Sequence, residues 1–377
     1  MCAAQVSNKP DTADSASVTI ENIKPYPELD SLFRRSSGGW IGADGAYSIP
    51  LSTTKTIWTF GDTWIGRIDG NRRSANCAMI NNSAAIQSIA KGKRLHPLQF
   101  LWSPGDPPLS LWKSEEPKFY FWPGDGIALD EKLFVFLHKI TAEKSKPEPF
   151  QFRTVSDCVV RIDNPLAPSA EWQMRYSDLG NDAEKLEYGT ATICDDKHVY
   201  IYCSDRSRQD GLNAHPAILC RLSKDDFKNH HFNKIEYYKN NGAETNSIAS
   251  RERDSDWVLN PKGSTIIFPD AAPEMSVTRV DGIPGFIAVY MPPLSKEIFI
   301  RHAMAPQGPW SDRIKIYDCP EKDDGILLYS AKAHQELARE PGELVVTYCR
   351  NSKDNKMHYK DASIYFPQAI RVKLKSK

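Results

Sequence analysis

No stretch of 18 or more apolar residues occurs in this chain, so no helix of it is expected to span a bilayer. Neither sign of charge is in excess: 48 Lys and Arg balance 48 Asp and Glu. With no bulk field and no basic cluster, nucleic acid is disfavoured as a partner. No G-x-S-x-G elbow is present and no cysteine sits in a polar setting, which argues against serine and thiol nucleophiles. There is no C-x-x-C pair and no histidine at zinc spacing. The eight cysteines (Cys2, Cys77, Cys158, Cys194, Cys203, Cys220, Cys319 and Cys349) mostly lie in apolar strand-like runs and read as buried thiols. Cys194 and Cys203 flank one turn and are the pair for which a disulfide is considered. The start of the chain lacks the basic and apolar regions of a signal peptide. Long amphipathic helices are lacking too: 182–186 and 223–227 read as single turns at most.

What is present is a chain of 377 residues, 40% hydrophobic and 25% charged, long enough to bury a large core. Its 26 prolines, 21 glycines, 9 Trp, 15 Tyr and 15 Phe point to many short strands joined by turns. Residues 1–17 read as a flexible polar segment and 18–377 as one domain. Met1-Cys2-Ala3-Ala4-Gln5 looks like a trimmed lipoprotein start, with Cys2 as the acylated first residue of an exported protein. A cytosolic chain with Cys second is the other reading.

The most informative segment runs from Gly38 to Trp64. Residues 46–51 and 56–60 read as two strands around the turn Ser52-Thr53-Thr54-Lys55. If that turn centres on Thr53, Asp44 lies opposite Asp62 and both carboxylates emerge at one rim. Opposed residues have Cβ atoms roughly 4.5–5.5 Å apart, and two like charges so close are costly unless a cation or a shared proton intervenes. Asp-Gly and Gly-Asp are also ordinary turn dipeptides. The pairing, flanked by Trp40, Trp58 and Trp64, favours function.

The hairpin recurs. Trp122 to His138 turns on Asp130-Glu131-Lys132, and Glu187 to Asp205 on Asp195-Asp196-Lys197. Glu274 to Tyr290 turns on Asp281-Gly282, and His334 to Cys349 on Pro341-Gly342. Further strand-like runs follow at 83–89, 157–162, 216–222, 298–303 and 369–374. Five units of three or four antiparallel strands predict an all-β fold, a five-bladed β-propeller. Residues 19–23 are expected to pair beside the C-terminal run and close the ring. Small residues in the opening strands (Gly45, Ala46, Gly126, Gly189, Ala191, Ser276) suit a crowded centre. A β-sandwich leaves the five-fold recurrence unexplained. Loops are expected at 68–75, 103–117, 143–149 and 240–257, the aromatic stretch 102–122 forming a cleft wall.

In such a ring the polar openers converge: Asp44, Asp125, Glu187, Glu274, His334 and Glu336, joined by Asp62. The same arithmetic sets Asp205 opposite Glu187. Carboxylates rimmed by Trp40, Tyr47, Trp64, Trp122 and Tyr188 suit sugar recognition, with Asn82 a further polar contact. Two carboxyl groups flanking a scissile bond define glycoside hydrolysis, and like-charge crowding keeps one protonated. The expected catalytic group is Asp44, Asp62 and Glu274, with Asp44 as base and Asp62, or Glu274 or Glu187, as acid. No cofactor is expected. The alternative for the ring carboxylates is a structural Ca²⁺ or pairing with Arg153, Arg251 or Arg301. For the whole protein the alternative is a carbohydrate-binding propeller without turnover. The partner expected is a carbohydrate, bound by a monomer.

The segments Gly38-Gly-Trp-Ile-Gly-Ala-Asp44-Gly-Ala-Tyr-Ser-Ile-Pro and Trp58-Thr-Phe-Gly-Asp62-Thr-Trp64 are followed by Asn81-Asn82-Ser83 and Tyr188-Gly189. Further on come Pro273-Glu-Met-Ser-Val, Gly308-Pro-Trp-Ser and Ala331-Lys-Ala-His-Gln-Glu-Leu. This pattern resembles the bacterial domain-of-unknown-function families 4185 and 5005. Part of the former is classed as glycoside hydrolase family 183, acting on D-arabinans. The resemblance implies a five-bladed hydrolase, inverting, whose two catalytic aspartates in the N-terminal hairpin match Asp44 and Asp62. Gln335 stands where related chains often have Pro.

Overall fold

The computed structural model describes residues 18–377 except 91–93, 147–149, 181–184, 210–214, 241–253, 322 and 324. The segment 1–17 with Cys2, Arg251 and most of the predicted loop 240–257 lie outside the described residues, as does much of the turn at 182–186.

The described residues are mostly β. Five of their antiparallel sheets contain four or more strands. The first holds Tyr47–Ser52, Lys55–Phe60, Ser83–Ser88 and Gln99–Leu101; the second holds Tyr120–Leu129, Lys132–Ala142, Phe152–Ile162 and Met174–Asp178. The third contains Leu186–Cys194, His198–Asp205, Ala217–Ser223, Glu236–Tyr238 and Trp257–Val258, with Ile266–Phe268 beside Ala217–Ser223. The fourth contains Met275–Val280, Ile283–Tyr290, Glu297–Ala303 and Ile314–Asp318. The fifth joins Ile326–Ala333, Glu343–Ser352 and Gln368–Ser376 to the N-terminal strand Val18–Pro25, in which Val18 faces Ser376. The predicted pairing of the two chain ends is thus present.

The alternation of apolar residues explains how the sheets pack. Ile49 and Ile57 of the first sheet share an apolar cluster with Leu133, Val135 and Leu137 of the second. Phe134 and Phe136 on the opposite face of the second meet Val199 and Ile201 of the third. Tyr200 and Tyr202 of the third meet Ala288 and Tyr290 of the fourth. Ile287 and Val289 of the fourth meet Leu344 and Val346 of the fifth. Val345 of the fifth meets Trp58 and Phe60 of the first, so the succession closes on itself. A strand buried on both faces loses the polar-out pattern of a surface strand, which is why the second strand of each sheet reads as a continuous apolar run. Each such side chain contributes about 1.5–3 kcal/mol on burial.

Crowding among the opening strands follows from their small residues. A Cβ on Gly126 would lie 2.4 Å from the Phe134 carbonyl oxygen, and one on Gly189 only 2.3 Å from Phe136 Cγ. Three opening strands carry a bulge at corresponding heights, between Pro123 and Gly126, Tyr188 and Ala191, and Tyr329 and Lys332. Bulges re-aim side chains, and here they shift the expected register. Glu187 faces Ser204, and Asp205 faces Leu186 rather than Glu187.

Other expectations are corrected. The fifth hairpin begins at Ile326, not at His334, because Ile326–Ala333 is its first strand and Gln335–Leu337 forms a 3₁₀ turn. The helix Pro27–Phe33, with proline in its first turn and Leu29 and Phe33 buried one turn apart, is too short for its periodicity to stand out. Residues 68–75 hold two paired short strands, Ile68–Asp69 and Arg72–Arg73. Cys194 and Cys203 lie opposite Val199 and Tyr188 and are both free; the close thiols are Cys203 and Cys220, with sulfurs 3.5 Å apart.

Candidate active site

The first hairpin has the predicted register, Tyr47 facing Thr59 and Ile49 facing Ile57. Above it the chain continues into a small sheet in which Ala43 pairs with Thr63. Between these ladders Gly45 and Ala46 take φ of +83° and +46°, and the strand kinks. Asp44 and Asp62 flank the kink: the Asp44 N–H donates to the Asp62 carbonyl at 3.4 Å, and the Gly61 N–H to the Asp44 carbonyl at 3.0 Å. The kink is locked from the fifth sheet. Lys332 Nζ and Ser330 Oγ both donate to the Gly45 carbonyl, and the ammonium sits 3.8 Å from the centre of the Tyr47 ring.

Each carboxylate is half-buried and held by donors. Asp44 Oδ2 accepts from the Tyr329 hydroxyl at 2.6 Å and the Tyr365 hydroxyl at 2.8 Å. Asp62 Oδ1 accepts from Trp122 Nε1 at 2.8 Å and Asn81 Nδ2 at 3.4 Å. Desolvation, the Asp62 charge and that of Glu274 push Asp44 up to about 7 against the two tyrosine donors. Desolvation raises Asp62 to about 6 against Trp122 and Asn81. Both shifts belong to an interacting pair, so the two carboxyls together retain a proton near neutrality. Glu274 completes the acidic wall, its Oε1 3.8 Å from Lys332 Nζ. Backbone strain gathers here as well: Ala46, Ser330 and Tyr365 are non-glycine residues at positive φ.

Asp44, Asp62, Glu274 and Trp122 are therefore brought together, with Tyr47 beneath them. Asp125 lies deeper. Its oxygens accept from the Gly126 and Thr192 N–H groups at 2.8 and 2.6 Å, and burial raises it to about 7.

Several predicted contacts are instead structural. Trp40 is fully buried, stacked on Phe100 at 4.1 Å. Trp64 is buried with its indole N–H donated to His358. Tyr188 is a core residue whose hydroxyl meets that of Tyr237. Asn82 spends its whole amide on the Trp112 and Phe121 carbonyls and the Trp112 N–H, tying two loops together. Glu187 is ion-paired to Arg206, beside the buried His138–Asp157 pair. His334 is buried between Ser48 and Thr347, and burial pushes its imidazole down to about 3. Glu336 accepts from Thr56, near the turn end of the first hairpin and away from Asp44. Of the arginines weighed as partners, Arg301 binds Asp270. Among the described residues no three His, Cys, Asp or Glu side chains are grouped to hold a metal ion.

Tyr329, Lys332 and Tyr365 were missed. The strand signal Leu327-Leu-Tyr-Ser-Ala-Lys332 pointed to the first two, had the fifth unit been started there.

The described residues thus form a mostly β fold in which Asp44, Asp62 and Glu274 gather beside the first hairpin. Residues 27–374 match the family described as Domain of unknown function (DUF5005), and the chain belongs to that family. Comparison with curated proteins gives no significant match. Among solved structures, one described as "a putative hydrolase from Bacteroides ovatus ATCC 8483" aligns with a TM-score of 0.71 at 18% identity, over 93% of this chain and 90% of that one. That likeness is one of fold. A thermostable family-43 glycoside hydrolase aligns with a TM-score of 0.42 at 12% identity, over 92% and 95% of the two chains. A structure described as "putative exo-beta-1,3-galactanase from Bifidobacterium bifidum s17" gives 0.43 at 10%, over 91% and 96%.

Proposed function

We propose that this chain is a glycoside hydrolase on a five-bladed β-propeller, with Asp44 and Asp62 as its catalytic carboxylates. The blade reading is supported by five sheets that share apolar clusters in cyclic order and by the closing strand Val18–Pro25. One observation carries the activity: two carboxyls opposed across one hairpin, both raised towards neutrality, beside the partly exposed Trp122. Such a pair holds one proton to give to a leaving glycosidic oxygen and one ionised group to activate water. Asp44, pressed by both Asp62 and Glu274, keeps the proton and serves as acid. Asp62, held by two N–H donors, serves as base. This reverses the roles expected from sequence.

The substrate class is a furanoside-containing poly- or oligosaccharide, a reading supported by the resemblance of the Gly38–Trp64 segment. Inversion rests on the same resemblance. A non-catalytic aromatic platform has less support, since Trp40, Trp64 and Tyr188 offer no face to a ligand. The protein is further proposed to act as an exported monomer tethered through an acylated Cys2. Labelling with radioactive palmitate in the native host, with the natural gene against its Cys2→Ala variant, tests the tether.

The activity is tested by incubating the protein with plant and bacterial glycans, arabinans included. Reducing-end release should occur with one class and disappear in Asp44→Asn and Asp62→Asn. Full activity in both variants would remove the pair from the chemistry.

A further inference from the structure

From the geometry we infer that a one-way chain of hydrogen bonds, Trp64–His358–Asn351–Tyr329, positions Asp44 and reserves its Oδ1 as the proton-carrying oxygen.

The direction of every link is forced. An indole N–H only donates, so Trp64 Nε1, 3.1 Å from His358 Nδ1, makes that nitrogen an acceptor. The neutral imidazole then carries its hydrogen on Nε2 and donates to Asn351 Oδ1 at 2.7 Å. A second donor identifies that oxygen independently, because the Ser352 N–H also points at it, at 2.7 Å. The Asn351 amide nitrogen must therefore face Tyr329, and it donates to the phenol oxygen at 3.3 Å. Tyr329, now an acceptor from Asn351, turns its own O–H onto Asp44 Oδ2. Tyr365 donates to the same oxygen.

Two O–H donors on Oδ2 leave Oδ1 as the oxygen able to carry or release a proton. Oδ1 lies where Gly61 has no side chain: a Cβ there would be 2.5 Å away. Burial and Arg73 push His358 down to about 4, which keeps the relay neutral through the range in which Asp44 titrates. Arg73 also fixes the segment that carries His358 and Tyr365, donating to the His358 and Ile364 carbonyls at 2.6 and 2.9 Å. The other ionisable groups facing Asp44 are Asp62, Glu274 and Cys349, with Lys332 on the adjoining Gly45 carbonyl. Trp64, His358, Asn351 and Tyr329 are positioning residues; only the consequence for turnover rests on the hydrolase reading.

The test is the titration of Asp44 by carboxyl ¹³C NMR, its signal assigned by loss in Asp44→Asn. Tyr329→Phe removes a charge-stabilising donor and should raise the Asp44 midpoint by about one pH unit. His358→Leu should raise it by a smaller amount in the same direction. His358→Gln, whose amide accepts and donates as the imidazole does, should restore the wild-type midpoint. Midpoints within about 0.2 unit of wild type in folded Tyr329→Phe and His358→Leu would overturn the relay. NMR shifts without cleavage of any glycan would support the relay and count against the hydrolase reading. Cleavage with unmoved midpoints would do the reverse.

Discussion

Replacing Asp44 with asparagine should stabilise the fold at alkaline pH and change it little in acid. The folded carboxyl titrates at about 7 against an ordinary 3.8, so folding binds its proton more tightly. That favourable linkage is complete below the unfolded value and is lost as pH rises through the folded one. About three units at 1.36 kcal/mol each make about 4 kcal/mol. Asparagine keeps an oxygen for Tyr329 and Tyr365 but never ionises, so it escapes this loss. With an unfolding entropy of about 2.1 cal/mol/K per residue, a domain of this size shifts its Tm by about 5 °C for that energy. Melting curves of wild type and Asp44→Asn from pH 3 to 8.5 should therefore coincide below about pH 4, separate progressively between about pH 4 and 7, and keep a constant gap above that, the variant melting higher. A gap that does not change with pH, or a variant that weakens as pH rises, would refute the account of a desolvated, crowded carboxylate. It would also remove the physical reason for assigning Asp44 the proton.

Gly61→Ala sets a Cβ against Asp44 Oδ1 at 2.5 Å and should abolish turnover while Tm moves by only a few degrees, as read by activity and melting together. Trp122→Phe removes the 2.8 Å donor to Asp62 and should move the acid limb of the kcat/KM profile up by about one pH unit. Asn82→Ala leaves the Trp112 and Phe121 backbone groups without their partner and should cost about 3 kcal/mol or more in urea unfolding, with KM unchanged. An altered KM at full stability would return Asn82 to the substrate. Deleting residues through Pro25 bares the Gln368–Ser376 edge and should lower Tm and promote self-association, visible by light scattering.

What could be read from the sequence depended on how local the determining contact is. The Asp44–Asp62 opposition needed only a tight turn and an unbroken ladder below the kink, and register arithmetic found it. The same arithmetic failed at Glu187 because the turn centres between Asp196 and Lys197 and because Gly189 and Thr190 leave the ladder, a bulge carrying no alternation signal of its own. The five-fold recurrence was legible in the apolar second strands, which are buried on both faces whatever surrounds them. Aromatic placement was not legible: Trp40 and Trp122 sit in similar Gly-rich strand contexts, yet one fills a core and the other is partly exposed and donates to Asp62. Only the neighbouring sheet decides between them. The donors to Asp44 are farther still, since Tyr329 and Tyr365 lie 285 and 321 residues away in sequence. They reach it because the fifth sheet and the segment before its last strand pack against the first, Val345 and Phe366 meeting Trp58 and Phe60. One side of the pocket is thus written in a local hairpin. The other exists only once the fifth sheet packs against the first, so the proton affinity of Asp44 should report on that packing.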